Sequence, residues 1–293
     1  MTDLLELFDD LERQTEPERN EIIKAPFGYI GAKSRSIEKI TPHLPYRSSY
    51  IEAFGGTGAI LLARHPSNLE VLNDRYMGIV GFYRCIRNKD MMEKLCDWLE
   101  FTVHSREDFL DCRDTWENTN DDVERAAKWY YSIQSSFNSK GGQFGRSTNC
   151  RSALAGKIRN CLPMFPIIHE RLLKVQIENQ DWYQCLLDYD HPDAVFYLDP
   201  PYINTYPGAY LYEISKTEHI RLVETIFSLK GFVALSGYSN PLYEEQDWSS
   251  RFDWDIRVSS KSMAFTESNN LAGRESITER STVKEVLWIK ESE

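Results

Sequence analysis

The sequence has no apolar run approaching the roughly 18 to 20 residues that a helix needs to cross a bilayer. Its opening, MTDLLELFDDLERQTEPE, carries acids where a secretory leader carries Lys or Arg. These absences predict a cytoplasmic protein that does not enter a membrane. The cysteines Cys85, Cys96, Cys112, Cys150, Cys161 and Cys185 form no CxxC pair, and the dispersed histidines form no HExxH motif or zinc-finger spacing. Reduced thiols and no metal site are therefore expected. There is also no internal repeat and no low-complexity tract, which excludes a solenoid or a linker-dominated chain.

What is present suits a globular chain. With 293 residues, 41% hydrophobic and 27% charged, the sequence can bury one sizeable core and carry a smaller insert. The net charge of −11 argues by itself against a polyanionic partner. Its distribution does not. Between Arg125 and His169 stand Arg125, Lys128, Lys140, Arg146, Arg151, Lys157 and Arg159 with no Asp or Glu, where average usage would place about seven acids. The same stretch contains FNSKGGQFGRSTN, whose Gly, Ser and Asn content suits a loop that meets phosphate.

The chain divides by pattern. Residues 1–24 hold eight acids and three bases, with a short amphipathic run of Leu4, Leu5, Leu7, Phe8 and Leu11, and read as an acidic extension. From residue 49 strands and helices alternate: SSYIEAF, then a helix with AILLAR, LEVLND, and a helix with MGIVGFYRCIRN. A helical and loop-rich insertion is expected over 85–165. Alternation then returns with LKVQIEN, WYQCLLDY, AVFYLD, TEHIRLVETIFSL, GFVALSGY and a last strand, TVKEVLWIK. The expected fold is α/β, a Rossmann-like doubly wound sheet formed by 25–84 and 166–293.

Two constellations carry chemistry. EAFGGTGA, Glu52 to Ala59, places glycines where a strand meets a helix, so that a ligand can approach main-chain N–H groups. Asp74 follows at the end of the next strand, suited to a ribose diol. Such turns also serve nicotinamide and flavin cofactors or purely structural ends, and Leu61 occupies the place of the third glycine of GxGxxG. A nicotinamide-dependent oxidoreductase therefore stays open at this point, but disfavoured. In the second, AVFYLDPPY, two prolines stiffen a corner directly after an apolar strand. The Asp199 carboxylate and Pro200 carbonyl can accept two hydrogens from an exocyclic amine, and Tyr202 can stack on its ring.

These motifs, in this order, resemble the D12 class of DNA adenine-N6 methyltransferases, the Dam-like enzymes, over most of the chain from about Phe27 to Ile289. FGYIGAKSRSIEKI is similar to the family's N-terminal GGK cofactor motif with Ala32 in place of a Gly. EAFGGTGA is similar to FxGxG through Phe54, Gly56 and Gly58, NDRY supplies Asp74, and DPPY is the catalytic motif. KEVLWI resembles the closing strand. The resemblance implies S-adenosylmethionine as methyl donor, S-adenosylhomocysteine as product, no metal, and double-stranded DNA with a flipped-out adenine as substrate. It implies cofactor contacts by Tyr29, Lys33, Phe54, Gly56, Gly58, Asp74, Asp181 and Asp199, and catalysis by Asp199, Pro200 and Tyr202. The insertion becomes the target-recognition region, with Lys140, Arg146 and Arg151 as expected DNA contacts. It is shorter than the hairpin that reads GATC and lacks the FNxPxG spacing, so GATC specificity is not carried over. Cytosine N4 and RNA adenine remain alternative acceptors. A monomer in a bacterial or phage-infected cell is the expected state. Residues 1–20 faintly resemble, through Leu5, Leu7 and Phe8, peptides that dock bacterial sliding clamps, which would make them a protein-partner segment.

Overall fold

In the computed structural model, residues 22–29, 31–146, 156–203, 213–257 and 282–291 are described below. The acidic extension, apart from its last three residues, lies outside them, as do Arg151 and Cys150.

The strands form where β-branched and aromatic residues run together between turns. They are β1 Ser49–Glu52, β2 Leu69–Asn73, β3 Val175–Glu178, β4 Ala194–Leu198, β5 Phe232–Tyr238, β6 Ser250–Arg257 and β7 Thr282–Lys290. They make one seven-stranded sheet in the order β3-β2-β1-β4-β5-β7-β6. β1 to β5 are parallel, with Ile51 opposite Val71 on one side and Phe196 on the other. β7 runs antiparallel between β5 and β6. Every residue of β4 is buried, which is why AVFYL reads as an unbroken apolar run rather than an alternating one. The edge strand β6 was not anticipated, although Phe252, Trp254 and Ile256 alternate with polar residues along it.

The helices used below are α1 Ala59–Ala63, α2 Met77–Arg87, α3 Lys89–Glu100, α4 Arg106–Thr115, α5 Asp122–Ser135, α6 Phe165–Leu172, α7 Trp182–Asp188 and α8 Lys216–Ser228. Local chemistry sets their starts. Asn88, Ser105, Asp121 and Asp181 each accept an amide hydrogen as N-caps, and Ser215 with Glu218 closes a capping box before α8.

Two apolar clusters sandwich the sheet. One gathers Ile51, Val71, Phe196, Leu198, Leu222, Val233 and Trp288. The other joins Leu72, Ile79, Phe82 and Tyr83 to Trp129, Tyr130 and Phe165. The second cluster draws α5, from the expected insertion, into the main core: Phe27 meets Trp129 edge-on at 5.2 Å, and the Tyr130 hydroxyl donates to the Pro26 carbonyl at 2.8 Å. At roughly 1.5–3 kcal/mol for each large apolar side chain buried, these contacts anchor the insertion firmly.

β1 and β4 are neighbours although the chain runs through β2 and β3 between them. The chain thus leaves β1 in one direction along the sheet and returns at β4 to proceed in the other. A crevice opens at the carboxyl ends of the strands at such a reversal.

Candidate active site

The first wall of that crevice grows from β1. After Ala53 the chain turns through Gly55, whose N–H donates to the Asn73 carbonyl at 2.7 Å and whose carbonyl accepts from Gly58 N at 2.8 Å. An added Cβ on Gly55 would lie 2.5 Å from Leu72, so only glycine fits this approach. Gly56 has φ +51° and nothing within 4 Å of where a side chain would project. Asp74, at the end of β2, accepts from Gly56 N at 2.8 Å and Tyr76 N at 2.7 Å. Burial pushes its carboxyl up against the pull of those two amides.

The second wall is the DPPY corner after β4. Asp199 Oδ1 accepts from Ser236 Oγ at 2.9 Å, and Oδ2 accepts from Lys33 Nζ at 2.6 Å. Lys33 is 6% exposed; its ammonium also donates to the Gly31 carbonyl at 2.9 Å and lies 3.4 Å from Glu285 Oε1. Burial alone would lower the Lys33 pKa, but the two carboxylates outweigh it and hold it above its ordinary value. Burial raises Asp199 against the pull of the same ammonium. Glu285 is held below the usual glutamate range: burial acts upward, and Lys33 with the Ser36 and Tyr202 hydroxyls overcomes it.

Both walls face one cleft with about 1110 Å³ of empty space, its open mouth included. Of the residues expected to hold a ligand, Tyr29, Lys33, Phe54, Gly56, Asp74, Asp199 and Pro200 line it. The glycine turn and the acidic corner thus share a cavity. Two aromatic pairs face it: Phe54 stacks with Trp182 at 6.2 Å, and Tyr29 with Tyr76 at 6.3 Å.

Three expected residues stand beside the wall rather than in it. Gly58 is the left-handed N-cap of α1, at φ 59°. Asp181 is 48% exposed and caps α7 by accepting from Tyr183 N at 3.0 Å, while its neighbours Gln180 and Trp182 line the cleft. Tyr202 is buried behind the corner. Its hydroxyl donates to Glu285 Oε1 at 2.9 Å, its ring meets Tyr238 at 4.4 Å, and the Lys33 ammonium lies 4.9 Å from its centroid.

Several participants belong to no motif. Glu52 lines the cleft, accepts from Tyr50 Oη at 2.9 Å and Leu61 N at 2.6 Å, and is pushed up to about 8 by burial. Its signal is an acid inside the apolar SYIEAF. Ser236 and Glu285 are likewise polar residues inside apolar strands, and Gln180 and Trp182 flank Asp181.

The basic stretch is only partly a surface. Arg125 pairs with Asp122, and Lys128 with Glu124 at 2.9 Å, so both serve α5. Lys157 donates to Ser139 Oγ at 2.9 Å, and burial lowers its pKa. Lys140 is exposed on a tight loop closed by a Ser136–Phe144 bridge, and Arg146 is exposed just beyond it. Among the described residues no group of His, Cys, Asp and Glu is gathered as metal ligands, and no helix is long and apolar enough to cross a membrane.

A family model described as D12 class N6 adenine-specific DNA methyltransferase matches residues 29–263, most of the chain. No curated protein matches it.

Proposed function

The chain belongs to the D12 class of N6 adenine-specific DNA methyltransferases, and from that premise we propose that the cleft between β1 and β4 is where donor and target base meet. Members of this class are enzymes that methylate adenine N6 in DNA with S-adenosylmethionine as donor. When bound, that donor supplies a methyl group already activated on a sulfonium.

The residues present fit it. Asp74, fixed by two amides at the end of β2, suits a ribose diol, and the aromatic pairs suit a flat adenine. The open space over Gly56 is a cradle that a side chain would fill. Tyr29, Lys33, Phe54, Gly56, Gly58 and Asp74 would hold the donor, with Asp181 at the rim. Gln180 and Trp182 bring that rim into the wall.

Asp199 and the Pro200 carbonyl accept the two hydrogens of the target amine. This draws the N6 lone pair out of ring conjugation, and Asp199 or water then takes the released proton. Proximity and alignment supply much of the remaining acceleration. The base must leave the duplex to reach this depth. For it to stack on Tyr202, the Lys33 ammonium beside that ring has to move aside. Lys140, Arg146 and Arg151 contact phosphate or base edges of double-stranded DNA. The enzyme works as a cytoplasmic monomer without metal, and residues 1–20 offer a peptide to a protein partner.

The observation that carries this reading is the shared cavity of the glycine turn and the DPPY corner. The test is methylation of plasmid DNA by purified protein, read by nucleoside mass spectrometry and modification-sensitive sequencing. Adenine N6 methylation is expected, with Asp199→Ala lowering the rate at least about a hundredfold. Methyl groups found on cytosine or only on RNA, or an Asp199→Ala variant as fast as wild type, would overturn it.

A further inference from the structure

We propose that Glu285, on β7, is a positioning residue for methyl transfer: it is the second carboxylate onto which the Lys33 ammonium shifts when the target amine takes its place at Asp199. The inference rests on reading the cleft as the amine site.

Glu285 is 2% exposed and begins the buried half of β7, beside Val286 and Leu287. A carboxylate in such surroundings is costly unless donors surround it. Here four converge from three separate segments, Lys33 and Ser36 coming from one turn. Ser36 Oγ and Trp254 Nε1 donate to Oε2 at 2.7 and 3.0 Å. Tyr202 Oη donates to Oε1 at 2.9 Å, and Lys33 Nζ lies 3.4 Å from the same oxygen. A neutral amide could accept from the hydroxyls and the indole. Only the ammonium calls for a full negative charge.

The ammonium is held unequally. It stands 2.6 Å from Asp199 Oδ2 and 3.4 Å from Glu285 Oε1. Ser236 donates to Asp199 Oδ1 and Lys33 covers Oδ2, so an incoming amine meets a carboxylate on which both oxygens already carry a donor, and the charged donor is the stronger competitor. An ammonium displaced from it inside the protein would keep only the neutral Gly31 carbonyl and no opposite charge. Glu285, already within 3.4 Å, lets Lys33 loosen its hold on Oδ2 while remaining paired. Without the charge at position 285, Lys33 stays on Asp199 and competes with the target amine. The chemical step then slows, while the donor still meets Lys33 in the place it already occupies on Asp199, so that its affinity is kept.

The test uses the full-length protein and compares Glu285→Gln and Glu285→Asp with wild type. It reads kcat on plasmid DNA, S-adenosylmethionine affinity by calorimetry, and Tm. Glu285→Gln is expected to lower kcat about tenfold with donor affinity kept. Glu285→Asp, which restores the charge, should regain part of that loss. A folded Glu285→Gln variant with kcat within about twofold of wild type, or no better kcat in Glu285→Asp, would overturn the assignment. If Glu285→Gln does not fold, Glu285→Asp decides: it keeps the charge but draws the carboxylate back from Lys33, should lower kcat a few-fold with donor affinity kept, and a kcat equal to wild type overturns the proposal. Wild-type protein that transfers no methyl to adenine would instead count against the functional reading itself.

Discussion

Glu52 shows how much a single side chain can say about pH. Its carboxyl is pushed from an ordinary 4.5 up to about 8, first by burial, against the hydrogen bonds from Tyr50 and Leu61. Between those values the folded chain holds a proton that the unfolded chain has released. Its contribution to stability is therefore full below pH 4.5 and is lost as pH rises through 8. Glu52→Gln keeps an oxygen for Tyr50 and Leu61 but does not titrate. Urea denaturation from pH 5 to 8.5 should show a shallower decline for the variant, and equal slopes would refute the assignment. Asp199, Pro200 and Asp74 were legible because their motifs are local: proline stiffness and the end of a strand are written in adjacent letters. Glu52, Ser236 and Glu285 were not, because what makes each of them notable is a partner far away in sequence.

At the scale of elements, close approach and loop exposure matter most. Gly78 lies where α2 meets α5: an added Cβ would stand 2.2 Å from Trp129 Nε1, which donates to Tyr76 Oη at 3.1 Å behind the cleft wall. Gly78→Ala should cost about 1–3 kcal/mol by overpacking, measured by chemical denaturation. A neutral result would mean that the helices part easily. The loop from Ser136 to Phe144 behaves differently, since Asn138 and Ser139 both adopt positive φ, at 55° and 54°, and Lys140 faces solvent. Lys140→Ala and Arg146→Ala should each weaken DNA binding and reduce the slope of log affinity against log salt by about one. Donor affinity should stay the same, and unaltered DNA affinity at several salt concentrations would remove both residues from the interface. The helices of the insertion were readable from their apolar spacing. That α5 belongs to the main core was not, because a periodic stripe says that a face is buried and not against what.

Across the whole molecule, β7 is the piece on which the rest closes. It lies between β5 and β6, its residues Val286 to Ile289 are buried, and it carries Glu285 to the Lys33 and Tyr202 end of the site. A chain ending at residue 281 should lose its cooperative unfolding transition, followed by circular dichroism during heating. A truncated protein that still melts sharply would show that the parallel strands suffice. From the sequence alone came the α/β alternation, the glycine turn, the acidic proline corner and the basic loop, because each depends on neighbours within about a dozen positions, where periodicity, turn chemistry and charge density act. Only the tertiary structure decided the strand order, the edge strand β6, the folding of the insertion into the core and the convergence of Lys33, Asp199, Tyr202 and Glu285. Those depend on which distant segments pack side by side, and burial makes a charge matter only once the packing has removed the water around it.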